Sequence, residues 1–140
     1  MNDRELIEQA KQARKQSYSP YSGFAVGAAL LAESGRVYLG CNIESAALSP
    51  TVCAERVAFF RAIADGERAF SAIAVVGAPR GEEPRSACPP CGVCRQVMAE
   101  HCAKSSFRIL LEDGGGIRSY TLGELYPEGF YPEKIAEKQV

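Results

Sequence analysis

The chain has 140 residues, 46% hydrophobic and 24% charged, with a formal net charge of −1. That length is expected to form one domain, residues 1–140, burying roughly 70% of its unfolded surface. The scattered, balanced charge argues against a nucleic-acid partner, which requires a basic stripe, and no apolar run is long enough for a membrane span. The charged opening Met1-Asn2-Asp3-Arg4-Glu5 lacks an apolar signal core, so the expected compartment is the cytoplasm.

Taken in order, the elements begin with an amphipathic helix over 3–16. Asn2 is placed as its N-cap, Glu5 lies three residues on, and Leu6, Ile7, Ala10 and Ala13 share one face. Ser17-Tyr18-Ser19-Pro20-Tyr21-Ser22-Gly23 reads as a loop. Phe24 to Ala32 and Val37 to Cys41, separated by Ser34-Gly35, read as a hairpin. A helix is expected after Ser49-Pro50-Thr51, with Val52, Val57, Phe60 and Ile63 among its apolar residues and a stop at Asp65-Gly66. Ala72 to Val76 has the nearly all-apolar character of a central strand covered on both faces. Residues 78–90 form a polar, proline-rich loop. Gly92 to His101 reads as a helix, Arg108 to Leu111 as a buried strand, and Asp113-Gly114-Gly115-Gly116 as a turn. Thr121 and Glu124 have capping-box spacing for a brief last helix ending at Pro127. Strands alternating with helices predict an α/β fold, a three-layer α/β/α sandwich around a central sheet.

The chemistry is concentrated in Cys53-Ala54-Glu55-Arg56 and Pro90-Cys91-Gly92-Val93-Cys94. Three of the six cysteines, Cys88, Cys91 and Cys94, stand three apart in a chain with no export signal, which favours metal over disulfides. Cys53, Cys91 and Cys94 sit at or near expected helix starts, where unpaired N–H groups and the helix dipole favour thiolate. Pro90 fixes the loop-to-helix junction. Three thiolates fill three corners of a zinc tetrahedron and leave the fourth for water, whose proton Glu55 is placed to carry. Adding Cys88 as a fourth ligand would close the site into a structural one and leave Glu55 and Arg56 without a role. Zinc with three thiolates is net anionic, and this singles out Arg56, adjacent to Glu55, to bond the sulfurs and withdraw charge, with Arg95 as the other candidate. Cys41, Cys102 and the single histidine, His101, are placed outside the site. Cys41 and Cys102 read as small buried hydrophobes, and His101 as bonding helix-terminal carbonyls or facing solvent.

Together these stretches resemble the small, zinc-dependent cytidine deaminases that act on free nucleosides as homotetramers. The resemblance runs from about Leu6 to Phe130. It is carried by Tyr18-Ser19-Pro20-Tyr21-Ser22-Gly23-Phe24-Ala25-Val26-Gly27-Ala28-Ala29, Gly40-Cys41-Asn42-Ile43-Glu44, Cys53-Ala54-Glu55-Arg56 and Pro90-Cys91-Gly92-Val93-Cys94-Arg95-Gln96. It implies a mixed sheet of about five strands and a hydrolase of the cyclic-amidine C–N bond, converting cytidine or deoxycytidine to uridine or deoxyuridine plus ammonia in pyrimidine salvage. It further implies zinc on Cys53, Cys91 and Cys94, with Glu55 as catalytic proton shuttle. Phe24 would pack against the pyrimidine, Asn42 and Glu44 would bind the ribose 3′-hydroxyl, and Phe130 would reach a neighbouring subunit's site. The alternative for Phe24 is core filler, and without the zinc motifs Asn42 would read as a turn residue and Glu44 as a solvated loop charge. The chain departs from the family at Ser45-Ala46-Ala47-Leu48-Ser49-Pro50, where Leu48 replaces a tyrosine near the sugar's 5′ side. That departure keeps deamination of another aminopyrimidine compound open. A nucleic-acid-editing enzyme lacks its basic track here, and a zinc-binding module without turnover is the remaining alternative.

Overall fold

A computed structural model describes residues 1–134 of the chain. The first helix, α1, spans Asp3–Arg14. Asn2 caps it by accepting from the Glu5 amide at 2.8 Å, and Leu6, Ile7, Ala10 and Ala13 are its buried stripe. Strands β1 (Phe24–Ala32) and β2 (Val37–Cys41) form the expected hairpin. Helix α2 (Ala54–Ala64) starts two residues later than its apolar pattern suggests, because Val52 pairs with Ile43 in a β-bridge that holds it extended. Gly66, at φ +97°, ends the α2 turn as anticipated.

Strand β3 (Phe70–Pro79) outlasts the apolar core that marked it, since pairing with β1 continues to Phe24 opposite Pro79. Helix α3 (Gly92–His101), strand β4 (Arg108–Asp113) and the short helix α4 (Leu122–Leu125) follow, and the capping box between Thr121 and Glu124 is present. A further strand, β5 (Gly116–Thr121), carries no strong apolar signal because it is a half-exposed edge. It is formed by Gly114 and Gly115 at φ +61° and +87°, both positive as a tight type I′ hairpin requires.

The sheet is five-stranded and mixed, in the order β2-β1-β3-β4-β5. Its β3–β4 pair is parallel and the other neighbouring pairs are antiparallel. Alternate residues supply its two faces. Ala29, Ala72, Ala74, Val76 and Leu110 pack under Leu6, Ile7 and Ala10 of α1. Ala28, Leu30, Ile73, Val75, Ile109 and Leu111 pack under Ala58, Phe59 and Ala62 of α2 and Met98 and Ala99 of α3. Two glycines set the close approach of helices to the sheet. A Cβ on Gly27 would lie 2.1 Å from the Ala10 carbonyl oxygen of α1, and one on Gly40 would lie 2.2 Å from the Ala54 carbonyl oxygen of α2. The second contact brings the start of α2 down onto β2. Because β1 runs against β2 and β3, the start of β1 and the ends of β2 and β3 share one edge of the sheet, and the site lies there.

Candidate active site

Cys53 and Cys91 are the N-cap residues of α2 and α3, and neither sulfur caps its own helix. Both are therefore left for another partner at the positive end of a helix dipole. Cys94 lies one turn into α3 and is buried. The three sulfurs lie within 4.8 Å of one another, with Cys53–Cys91 at 3.7 Å and Cys91–Cys94 at 3.6 Å. Sulfurs about 2.3 Å from a tetrahedral zinc stand roughly 3.8 Å apart, so the donor set fits the ion in size and in chemistry. Its electrostatics point the same way. Hydrogen bonding from Cys94, and then from the Arg56 guanidinium, lowers the Cys53 thiol to about 5. The Cys94 thiol, donating to that anion and buried, is pushed far above its ordinary range. Three sulfurs at this spacing cannot all ionise without a cation, and zinc would supply it.

Arg56 Nη2 donates to Cys53 Sγ at 3.6 Å, and its Nε is buried without a hydrogen-bond partner among the described residues. The other candidate for that role, Arg95, is committed elsewhere. Its Nε donates to the Pro90 carbonyl and its Nη1 to the Leu125 carbonyl, fastening the start of α3 to α4. Glu55 is 4% exposed in the first turn of α2. Burial raises its carboxyl to about 7, with the Cys53 charge adding to the shift, so near neutral pH it can both take and return a proton.

A cavity of about 280 Å³ opens onto this corner, lined by Cys53, Glu55, Cys91, Asn42, Glu44 and Cys88 among others. That is near the lower end of the range for small-molecule sites, about 300–1,000 Å³. Asn42 and Glu44, just beyond β2, are brought to the same cavity as the sulfurs. Phe24, at the start of β1, lines an adjoining cavity of about 430 Å³, and Cys88 and Pro89 face both. Phe130 is 58% exposed and does not line the cavity of its own chain. Its carbonyl accepts from Gln96 Nε2 of α3 at 2.7 Å.

Cys88 stays out of the sulfur cluster. It packs over β3 instead, where a Cβ on Gly77 would come within 2.7 Å of its sulfur, and burial raises its thiol to about 11. His101 stacks on Phe59 with ring centroids 6.4 Å apart, so its ring meets the core rather than only carbonyls or solvent. Cys41 and Cys102 are half-buried thiols. The motifs did not point to Val26, Thr51 or Pro89 as cavity lining. Nor did they give Ser17 and Ser22, whose hydroxyls donate to Asn42 and Glu44, any role beyond a loop. Serines in a turn carry no sequence signal for such contacts.

Three sulfurs with no fourth ligand grouped with them among the described residues, beside a buried carboxyl, fit a catalytic zinc centre, which keeps one position for water, better than a closed structural one. Residues 1–108 match the family model described as the cytidine and deoxycytidylate deaminase zinc-binding region. The chain is 50% identical over 136 residues to the cytidine deaminase of Sporosarcina psychrophila, covering 97% of this chain and 96% of that one. It is 46% identical over 135 residues to that of Halalkalibacterium halodurans, covering 96% and 98%. The crystal structure of cytidine deaminase from Burkholderia pseudomallei superposes with a TM-score of 0.83 at 44% identity, over 93% of this chain and 100% of that one. The Mycobacterium tuberculosis enzyme gives 0.77 at 35% identity, over 93% and 98%. This chain belongs to the cytidine and deoxycytidylate deaminase family. The five-stranded mixed sheet between helical layers is the fold that the sequence predicted.

Proposed function

We propose that this chain, one deaminase domain over 1–140, is a zinc-dependent cytidine deaminase of pyrimidine salvage. It hydrolyses cytidine or deoxycytidine to uridine or deoxyuridine plus ammonia. The observation that carries the reading is the three-sulfur corner with buried Glu55 beside it, opening on a cavity that Asn42 and Glu44 also line. Cys53, Cys91 and Cys94 hold zinc, which when bound supplies an acidified water as nucleophile for C4 of the pyrimidine. Glu55 would take one proton from the attacking water and deliver it to ring N3. It then takes the second and gives it to the exocyclic amine, so the C4–N bond breaks with ammonia as leaving group and N3 keeps its proton. Arg56 draws charge from the sulfurs, so that the water's ionisation is not suppressed by a surplus of negative charge.

In this reading Phe24 packs on the base, while Asn42 and Glu44 take the ribose 3′-hydroxyl. Phe130, which lies outside its own cavity, completes the site of a neighbouring subunit, so the active species is a closed homotetramer working in the cytoplasm. Nothing in the balanced charge serves a nucleic-acid track, and no helix among the described residues is long and apolar enough to cross a membrane.

The test is loss of cytidine absorbance on mixing with purified zinc-loaded protein, run beside other aminopyrimidine nucleosides and with sedimentation at assay concentration. Turnover of cytidine at least as efficient as any of the others is expected. Faster turnover of a different aminopyrimidine would reassign the substrate, and zinc binding without turnover would leave a binding module. A fully active monomer would refute the shared site.

A further inference from the structure

The aromatic and the two sugar-side residues are one hydrogen-bonded unit. The Phe24 carbonyl accepts from Asn42 Nδ2 at 2.8 Å. The Phe24 amide donates to Ser22 Oγ at 3.0 Å, and that same hydroxyl donates to Glu44 Oε2. Both backbone polar groups of Phe24 are thus held by the sugar side, the carbonyl directly and the amide through one serine. The other Glu44 oxygen accepts from the amides of Tyr21 and Ser22 at 3.0 and 3.1 Å. Asn42 Oδ1 takes the Ser17 hydroxyl and the Val26 amide. Gly23, at φ +69°, lets the chain turn tightly enough for Ser22 to reach both partners.

We propose that Ser22 is a positioning residue that couples the sugar-binding carboxylate to the base-packing aromatic. This rests on the reading of Glu44 as the ligand of the 3′-hydroxyl and Phe24 as the wall against the pyrimidine. Ser22 lines neither of the two cavities at the site and lies outside the sulfur cluster. Its hydroxyl is one relay in which Glu44 is acceptor and the Phe24 amide is donor. With Glu44 Oε1 taken by two amides, the sugar hydroxyl meets Oε2, the same oxygen that Ser22 holds, and Ser22 keeps the start of β1 in place. Binding free energy from the sugar then aligns the ring at the reacting carbon, which is how contacts remote from the bond being broken reach kcat.

The experiment compares cytidine with 3′-deoxycytidine in the zinc-loaded wild type, Ser22→Ala, Ser22→Thr and Glu44→Gln, with melting curves to confirm folding. Removing a hydrogen bond to a charged group predicts a loss of roughly tenfold in kcat/KM for cytidine in Ser22→Ala, with kcat carrying part of it. With 3′-deoxycytidine the loss should shrink to about threefold or less, because the carboxylate no longer has a sugar hydroxyl to transmit. Ser22→Thr keeps the hydroxyl at an exposed position and should stay within about threefold of wild type on both nucleosides. If Glu44→Gln discriminates between the nucleosides and Ser22→Ala loses equally on both, or loses nothing, the positioning role is overturned while the assignment of Glu44 stands. If Glu44→Gln loses equally on both nucleosides, the sugar reading of Glu44 fails and the proposal falls with it.

Discussion

The two faces of the sheet solve opposite problems with the same kind of contact. On the α1 face the core is purely aliphatic, and charge appears only at its rim. There Glu112 meets Lys11 at 2.8 Å and also Arg4, and Asp3 meets Arg108 at 3.0 Å. On the α2/α3 face the core is equally apolar, yet its rim at the helix starts buries Glu55, Cys94 and the Nε of Arg56. Charge on the first face is paired within the chain. On the second it is left incompletely paired, and that deficit is what makes the corner a metal site. The rim of α1 spends its ion pairs on the fold, whereas the start of α2 keeps charge for a partner from outside the chain.

The strongest way to break this contrast is at the sulfurs. Cys53→Ala, Cys91→Ala or Cys94→Ala should each lose zinc and with it essentially all turnover, whereas Cys88→Ala should keep one zinc per chain. Metal analysis of the purified variants decides this, and a zinc-free Cys88→Ala would mean that the fourth cysteine closes the site.

Next in size is Glu55→Gln, which preserves volume and removes the proton carrier. Zinc content and melting temperature should hold, while kcat falls by at least the ~10²–10⁴-fold attributable to acid–base catalysis. Near-normal turnover in that variant would sink the mechanism.

The glycine pair tests the two faces directly. Gly27→Ala and Gly40→Ala both drive a methyl into a helix backbone, at 2.1 and 2.2 Å from a carbonyl oxygen. Each should destabilise by about 1–3 kcal/mol in chemical denaturation. Turnover should separate them. Displacing α1 leaves the metal corner alone, whereas displacing the start of α2 moves Cys53 and Glu55, so a lower kcat is expected only for Gly40→Ala. Equal kcat values would show that the corner tolerates a shift of its helix.

The smallest effect is electrostatic. Despite its burial, hydrogen bonds from Lys11 and Arg4 hold the Glu112 carboxyl below its usual range. A lowered folded-state value means that the stabilisation is fully present above the unfolded value, ordinarily about 4.3, and is lost as pH falls through the folded one. Glu112→Gln should therefore flatten the acid limb of the stability curve below about pH 4.5 and cost about 1–2 kcal/mol at neutral pH. An unchanged acid limb would mean that the α1 rim does not act through charge.

What the sequence determined by itself is what short-range chemistry encodes. Asn2 and Glu5, Thr121 and Glu124, and the apolar stripe of α1 mark helix ends and faces because capping and periodicity operate within one or two turns. The ligand elements were legible for the same reason. Cys91 and Cys94 are separated by one helical turn, and Glu55 follows Cys53 by two residues, so their spacing already carries their chemistry. The edge strand β5 was not legible, because an exposed strand needs no apolar pattern and is made by a glycine turn and a partner. Its place beside Glu55 singles out Arg56 over Arg95, but that Arg95 is spent on the Pro90 and Leu125 carbonyls depends on the fold. Only the tertiary structure joined Ser22 to Glu44, and laid Cys88, already read as outside the ligand set, over Gly77. Such contacts form between segments that the fold brings together, and no capping or periodic pattern records a partner beyond a turn or two along the chain.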